Sequence, residues 1–189
     1  MKVLVACEYS GIVRDAFSAK GHYAMSCDIL PTESDGLHYQ GDVMDILNDG
    51  WDLMIAHPPC THLAVSGARH FHKKEREQLE ALAFVQKLLD APIEMICLEN
   101  PVSIISTRIK KPTQIIQPYE YGHSVSKKTC LWLKNLPKLK PTNIVDKGEF
   151  VTFPSGKRMH SWYATKWGDG KARSTFWKGI AEAMADQWG

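Results

Sequence analysis

Short apolar runs recur along the chain, each followed by a turn and a stretch of helical or polar pattern. Lys2–Ala6, Tyr23–Cys27, Leu53–Ala56, Ile93–Leu98 and Lys128–Leu133 read as strands, since short, mostly apolar runs bounded by turn signals mark strands buried on both faces. Ile12, Val13, Ala16 and Phe17 fall on one side of a helix after the first run. A second helix is expected from Lys73 to Asp90, with Leu79, Leu82, Ala83, Leu88 and Leu89 buried, and Ala91-Pro92 stops it. A closing helix runs from Thr175 to Trp188, with Ile180, Ala183 and Met184 on its apolar side. Strands alternating with helices predict an α/β fold with a mostly parallel sheet flanked by helices.

The irregular stretches set the organisation. Gly41-Asp42 precedes a short amphipathic piece, Val43, Ile46 and Leu47, and the Asn48-Asp49-Gly50 turn launches the Leu53 strand. Residues 102–121 are mixed, with loops at Pro112 and Pro118. From Lys134 to Ser174 the chain is rich in Pro, Gly, Lys and aromatics, with short strand-like pieces only around Phe150 and Trp162. The expected organisation is one core, residues 1–133 and 175–189, carrying a small basic insert at 134–174.

Ligands of open α/β sheets bind outside the carboxyl ends of the strands. The Leu53 strand ends at Pro58-Pro59-Cys60, so Cys60 is presented at that edge, where it suits a nucleophile and equally suits a core cysteine. The Ile93 strand ends at Glu99-Asn100-Pro101, which brings a carboxylate and an amide to the same edge if the two strands are neighbours. Asp28 closes the second strand about twenty residues after the first, the spacing at which a nucleotide-binding unit carries its ribose-binding acid. The histidine-bearing segment from Cys60 to His72 is too long and polar for a plain connection and reads as an active-site loop.

Charge sharpens this picture more than composition does. The 189 residues are 44% apolar, enough for one well-buried domain. The net charge of +2 hides a split: residues 1–120 carry 11 Lys/Arg against 16 Asp/Glu, and residues 121–189 carry 12 against 5. A basic last third interleaved with Trp162, Tyr163 and Trp167 points to a polyanionic partner. Five widely spaced cysteines, never Cys-x-x-Cys, argue against disulfides and structural zinc. His57, His62, His70 and His72 lack the second cysteine or carboxylate that a zinc site needs, and Leu63 stands where a zinc base deaminase carries its second cysteine, so no metal is expected. With no membrane-length apolar run and no signal-like leader, a soluble intracellular protein is expected.

Pro58-Pro59-Cys60, followed by Gly67 and Arg69, and then Glu99-Asn100 after the next strand, resembles the Pro-Cys and Glu-Asn motifs of the DNA cytosine-5 methyltransferases in order and spacing. The resemblance spans nearly the whole chain. Glu8-Tyr9-Ser10-Gly11 takes the place of the glycine-rich first turn, Asp28 that of the ribose-binding acid, and Asp42 that of the acid beside the adenine of S-adenosylmethionine. Gly122–Leu133 looks like the family's basic motif and following strand, and the segment from Phe176 looks like the one that folds back beside the cofactor.

This resemblance implies a Rossmann-like S-adenosylmethionine-dependent methyltransferase fold. It also implies methyl transfer to C5 of a cytosine flipped out of DNA, RNA remaining open as a substrate. Cys60, Glu99, Asn100 and Lys127 would be the catalytic set. Glu8, Tyr9, Ser10, Gly11, Asp28, Asp42 and Pro58 would line the cofactor site, and Arg69, Lys157, Arg158 and Trp162 would meet the nucleic acid.

The chain departs from the family at three places. Its first turn keeps Gly11 without neighbouring glycines, Lys127 and Thr129 stand where two arginines are expected, and the insert is only about forty residues long. So small an insert implies short or relaxed sequence specificity, or a partner that supplies it. The first two departures also motivate a different expectation, a protein of this fold that binds nucleic acid or cofactor without catalysis.

Overall fold

The computed structural model describes residues 1–66, 74–156, 158–165 and 176–189. Seven strands form one sheet in the order β3-β2-β1-β4-β5-β7-β6. They are β1 (Lys2–Ala6), β2 (Tyr23–Asp28), β3 (His38–Gln40), β4 (Leu53–Ala56), β5 (Met95–Pro101), β6 (Gln114–Ile116) and β7 (Thr129–Lys134). The first five are parallel, and β7 lies antiparallel between β5 and β6. The order 3-2-1-4-5 is that of the doubly wound nucleotide-binding sheet, so the winding reverses between β1 and β4. The α/β architecture with a mostly parallel sheet is as the apolar runs predict.

The side-chain period of two sorts each strand between two cores. Leu4, Ala6, Met54, Ala56, Ile96 and Leu98 face one side, where α2 (Glu75–Leu89) adds Val85, Leu88 and Leu89. Val3, Val5, Leu53, Ile55, Cys97 and Leu131 face the other. There α1 (Ile12–Ala19) contributes Val13 and Phe17, and the closing helix brings Ile180, Ala183 and Met184. Helices on both faces explain why the central strands are continuous apolar runs.

Several elements differ from the sequence expectation. Leu79 is 66% exposed and Ala83 is also exposed. The buried stripe of α2 lies further along, because its first turns run beside a cleft, where Glu77, Glu80, Ala81 and Phe84 form part of the wall. Strand β5 begins two residues later than Ile93 and continues through Glu99-Asn100-Pro101, paired residue for residue with β7. Strand β3 was not expected, since three half-exposed residues, His38-Tyr39-Gln40, carry no apolar signal. Trp162 lies in a one-turn helix, α3 (Ser161–Thr165), and not in a strand; the strand ends just before it. That strand, β9 (Arg158–His160), pairs antiparallel with β8 (Phe150–Thr152) as a separate two-stranded ribbon.

The closing helix, α4, spans Lys178–Trp188. Beside it, the first residues after β7 stay with the core. Leu139 is buried, Trp188 Nε1 donates to the Pro137 carbonyl at 3.1 Å, and Lys140 and Gln187 exchange two hydrogen bonds. Beyond this point the chain stays bonded to the 119–126 segment, through the Thr142, Asn143 and Val145 amides and the Lys147 carbonyl, before it reaches the β8–β9 ribbon. Among the described residues no helix is long and apolar enough to cross a membrane.

Candidate functional site

A cleft of about 1550 Å³ opens along the carboxyl ends of β1, β2, β4 and β5, at the point where the strand order reverses. Its walls collect Cys7 to Ser10, Asp28 to Leu30, Asp42 and Val43, His57 to His62, and Glu99 to Val102, closed over by Lys127, Lys128, Met159, Tyr163 and Phe176. Of the residues expected from the sequence, Cys60, Glu99, Asn100, Lys127, Glu8, Tyr9, Ser10, Asp28, Asp42 and Pro58 all line this one cleft.

The turn after β1 contains a single glycine, Gly11. Cys7 adopts the left-handed conformation at φ 59°, and Gly11 follows at φ 77°. A non-glycine residue there costs about 1–2 kcal/mol, so the turn carries a modest strain in place of a glycine's freedom. Gly11 lies beneath the cleft wall, and a Cβ there would collide with the Ser34 hydroxyl and the Arg14 guanidinium. Glu8 is buried, with Oε1 accepting from the Val13 amide at 2.7 Å and Oε2 from the Arg14 amide at 3.2 Å. It thus satisfies the open amides of α1, a task more often given to a capping residue at the helix start. Ser10 donates to the same carboxylate at 3.2 Å.

Behind this turn lies a buried cation that the sequence analysis missed. Arg14 is fully buried and donates to Ser26, Thr32, the Ser34 hydroxyl and the Asp35 carbonyl, with Asp15 beside it at 2.8 Å. These bonds tie down the segment from Ile29 to Leu37, which supplies Ile29, Leu30 and Glu33 to the cleft. Only the polar residues clustered at 32–35 could have hinted at it, since an arginine inside a helical apolar face looks like a surface residue from sequence.

Asp28 and Asp42 make this end of the cleft acidic. Asp28 Oδ1 accepts from the Leu30 amide at 2.9 Å, and Asp42 Oδ1 from the Met44 amide at 3.0 Å. Their charge adds to burial in raising the neighbouring thiols. Cys7 is pushed far up by burial first and Asp28 next, and Cys27 is pushed up to about 12 by the same causes. Burial also raises Cys97 and Cys130. Four of the five cysteines are therefore neutral thiols at physiological pH, unsuited to nucleophilic attack.

The fifth, Cys60, is half-buried on the cleft wall. Its loop is held to the end of β5 by several bonds. Asn100 Nδ2 donates to the Pro58 carbonyl at 2.9 Å, the Val65 amide to the Val102 carbonyl at 3.1 Å, and the Ile104 amide to the Leu63 carbonyl at 3.0 Å. Leu63, fully buried, anchors the turn, and the Cys60 carbonyl accepts from the Leu63 and Ala64 amides. Asn100 is itself buried, so its amide is committed to holding the loop.

At the far rim, Lys127 Nζ sits 5.9 Å above the Trp162 ring, which in turn meets Tyr163 and Trp177 at 5.1 and 5.3 Å. Tyr163 and Met159 reach the cleft, whereas Arg158 and Trp162 are absent from its lining. Arg158 is exposed on the ribbon, its guanidinium 4.7 Å over Phe150. Arg69 and Lys157 lie outside the described residues, as do Gly67, His70, His72 and Trp167. Among the described residues no group of three His, Cys, Asp or Glu side chains is placed to hold a metal.

No family model matches the chain, and no curated protein matches it. Among solved structures, it is similar to a prophage-encoded protein of E. coli designated a DNA modification methyltransferase. The two share 16% identity and a TM-score of 0.46, over 76% of this chain and 51% of that one. The chain thus spans about half the length of that structure.

Proposed function

We propose that the protein is an S-adenosylmethionine-dependent DNA cytosine-5 methyltransferase. The observation that carries the reading is the meeting of Cys60, Glu99 and Asn100 in one cleft at the switch point of the sheet, with the Asn100 amide holding the backbone two residues before Cys60.

The donor set fits the cofactor. Asp28 and Asp42 each spend one carboxylate oxygen on a backbone amide and offer acceptors to a ribose and an amino group, while Leu30, Val43, Pro58 and Phe176 supply apolar walls. Tyr9 and Ser10 border the same space, with Glu8 and Gly11 shaping the turn from beneath. When bound, S-adenosylmethionine supplies an electrophilic methyl group on a sulfonium.

Cytosine C5 is a weak nucleophile, and the chain's own groups must make it reactive. The Cys60 thiolate bonds to C6, moving the ring's electron pair toward N3, and the Glu99 carboxyl hands its proton to N3 to stabilise that charge. The resulting enamine carbon C5 would accept the methyl group, the sulfonium leaving as a neutral thioether; solvent water then takes the C5 proton as the Cys60–C6 bond breaks and the thiolate leaves, and N3 returns its proton to Glu99. Lys127 neutralises phosphate or base charge at the rim, as a point charge and not a bidentate fork. Arg158, Trp162 and the ribbon, with Arg69 and Lys157, contact the nucleic acid, and the target base leaves its stack to reach Cys60.

The decisive experiment offers DNA and RNA with labelled S-adenosylmethionine. Wild type labels cytosine C5 in DNA, and Cys60→Ser lowers transfer by about 10³-fold or more with cofactor binding intact. DNA carrying 5-fluorocytosine forms a denaturation-resistant adduct through Cys60. Transfer that survives Cys60→Ser, or an adduct through another residue, overturns the mechanism. A second reading, binding without transfer, is favoured by one observation: Lys127 and Thr129 supply no bidentate group to hold the base. It predicts cofactor and DNA binding with no label in any substrate.

A further inference from the structure

His57 is unused by the chemistry above, yet it is the residue in contact with Glu99. The parallel register pairs Ala56 of β4 with Leu98 of β5, so the next residues on each strand, His57 and Glu99, emerge side by side on the same face. The His57 amide donates to the Ala6 carbonyl at 2.9 Å, which fixes its backbone at the crevice where β1 and β4 part. Its Nδ1 lies 3.2 Å from Glu99 Oε2, with the two side chains only 12% and 13% exposed. Phe176 covers the ring, centroid to centroid at 4.7 Å.

The other ring nitrogen decides the protonation pattern. His57 Nε2 is buried and has no hydrogen-bond partner among the described residues. A buried N–H without an acceptor is costly, whereas a bare ring nitrogen loses far less. The low-cost tautomer therefore carries its proton on Nδ1, and that proton points at Glu99 Oε2. One oxygen of Glu99 is thereby committed to His57, and rotation of the carboxyl group is arrested.

We propose that His57 is the positioning residue of Glu99: its Nδ1–H holds Oε2 and leaves Oε1 to face the base. This rests on the methyltransferase reading, in which Glu99 must meet N3 of the flipped ring. It gives the histidine the part of an orienting partner, as second groups orient acid–base residues in other sites. A carboxyl group freed to rotate spends most of its time misaligned, and a misplacement of about 1 Å in such a group costs roughly a hundredfold in rate.

The test pairs a spectroscopic readout with two variants. In protein labelled with ¹⁵N-histidine, the His57 imidazole shows the Nδ1-protonated tautomer, and in Glu99→Ala it reverts to the Nε2-protonated form that free imidazole favours. Wild type in the Nε2-protonated form overturns the proposal whether or not the protein transfers methyl groups. In methyl transfer, His57→Phe keeps the contact with Phe176 but loses the donor, and kcat falls about a hundredfold with KM for S-adenosylmethionine unchanged. His57→Asn, whose amide can place an N–H near Nδ1, recovers most of that loss. Equal kcat in His57→Phe and wild type, or no recovery in a folded His57→Asn protein, sinks the orienting role. Absence of transfer by wild type itself would remove the methyltransferase reading and leave the tautomer measurement to judge the pair.

Discussion

At one end of the cleft, Asp28 and Asp42 stand beside the Cys7 and Cys27 thiols, which their charge helps to keep neutral; at the other, Lys127 and Lys128 lead into β7 beside the rings of Trp162 and Tyr163. The acidic end is built from the first third of the chain, on strands of the central sheet and a segment pinned by Arg14. The basic end comes from the last third, next to a two-stranded ribbon whose residues Phe150 to Phe153 are exposed. The charge split along the sequence is thus a split across the cleft. An acidic wall suits a cationic, hydroxyl-bearing ligand and a basic rim suits phosphates, so under the proposed function cofactor and nucleic acid occupy one cavity without competing.

This contrast predicts separable effects. Asp28→Ala should weaken S-adenosylmethionine binding by about ten- to a hundredfold, the worth of a hydrogen bond to a charged group, and leave DNA affinity unchanged. Calorimetry with each ligand measures both, and a fall in DNA affinity would show the two ends are not separate. Lys127→Ala should do the reverse: DNA binding weakens several-fold, and the slope of log affinity against log salt becomes shallower by about 1. An unchanged slope would place phosphate contacts elsewhere. Cys7→Gly should have the smallest effect, a gain in stability of about 0.5 kcal/mol, since relief of left-handed strain outweighs the glycine's added chain entropy only slightly. Urea denaturation reads it, and a loss of stability would mean that the Cys7 side chain packs more than it strains.

The buried strands were legible because a parallel sheet covered on both faces leaves no polar positions to interrupt an apolar run. Cys60 and Glu99 could be placed at one edge for the same reason, since both follow such runs. Besides Arg14 and β3, three further features were hidden. Leu79 and Ala83 fit the helical period, but periodicity does not tell where a helix stops facing the sheet and starts facing a cleft. His57 and Glu99 are 42 residues apart, and only the pairing of β4 with β5 makes them neighbours. Cys7 offers no sequence sign of its left-handed backbone.

Arg14 ties the history of several positions together. Cβ atoms added at Gly11 or Gly36 would both press on its guanidinium, and Ser26, Thr32 and Ser34 are shaped to receive it. These sites can drift only in concert: a side chain at either glycine becomes tolerable once residue 14 shortens, and a shorter residue 14 takes the guanidinium away from the Thr32 and Ser34 hydroxyls. In a lineage of related chains they should be inherited as a block, and a chimera that joins β1 and α1 of one homologue to the following segment of another should fail at this seam first.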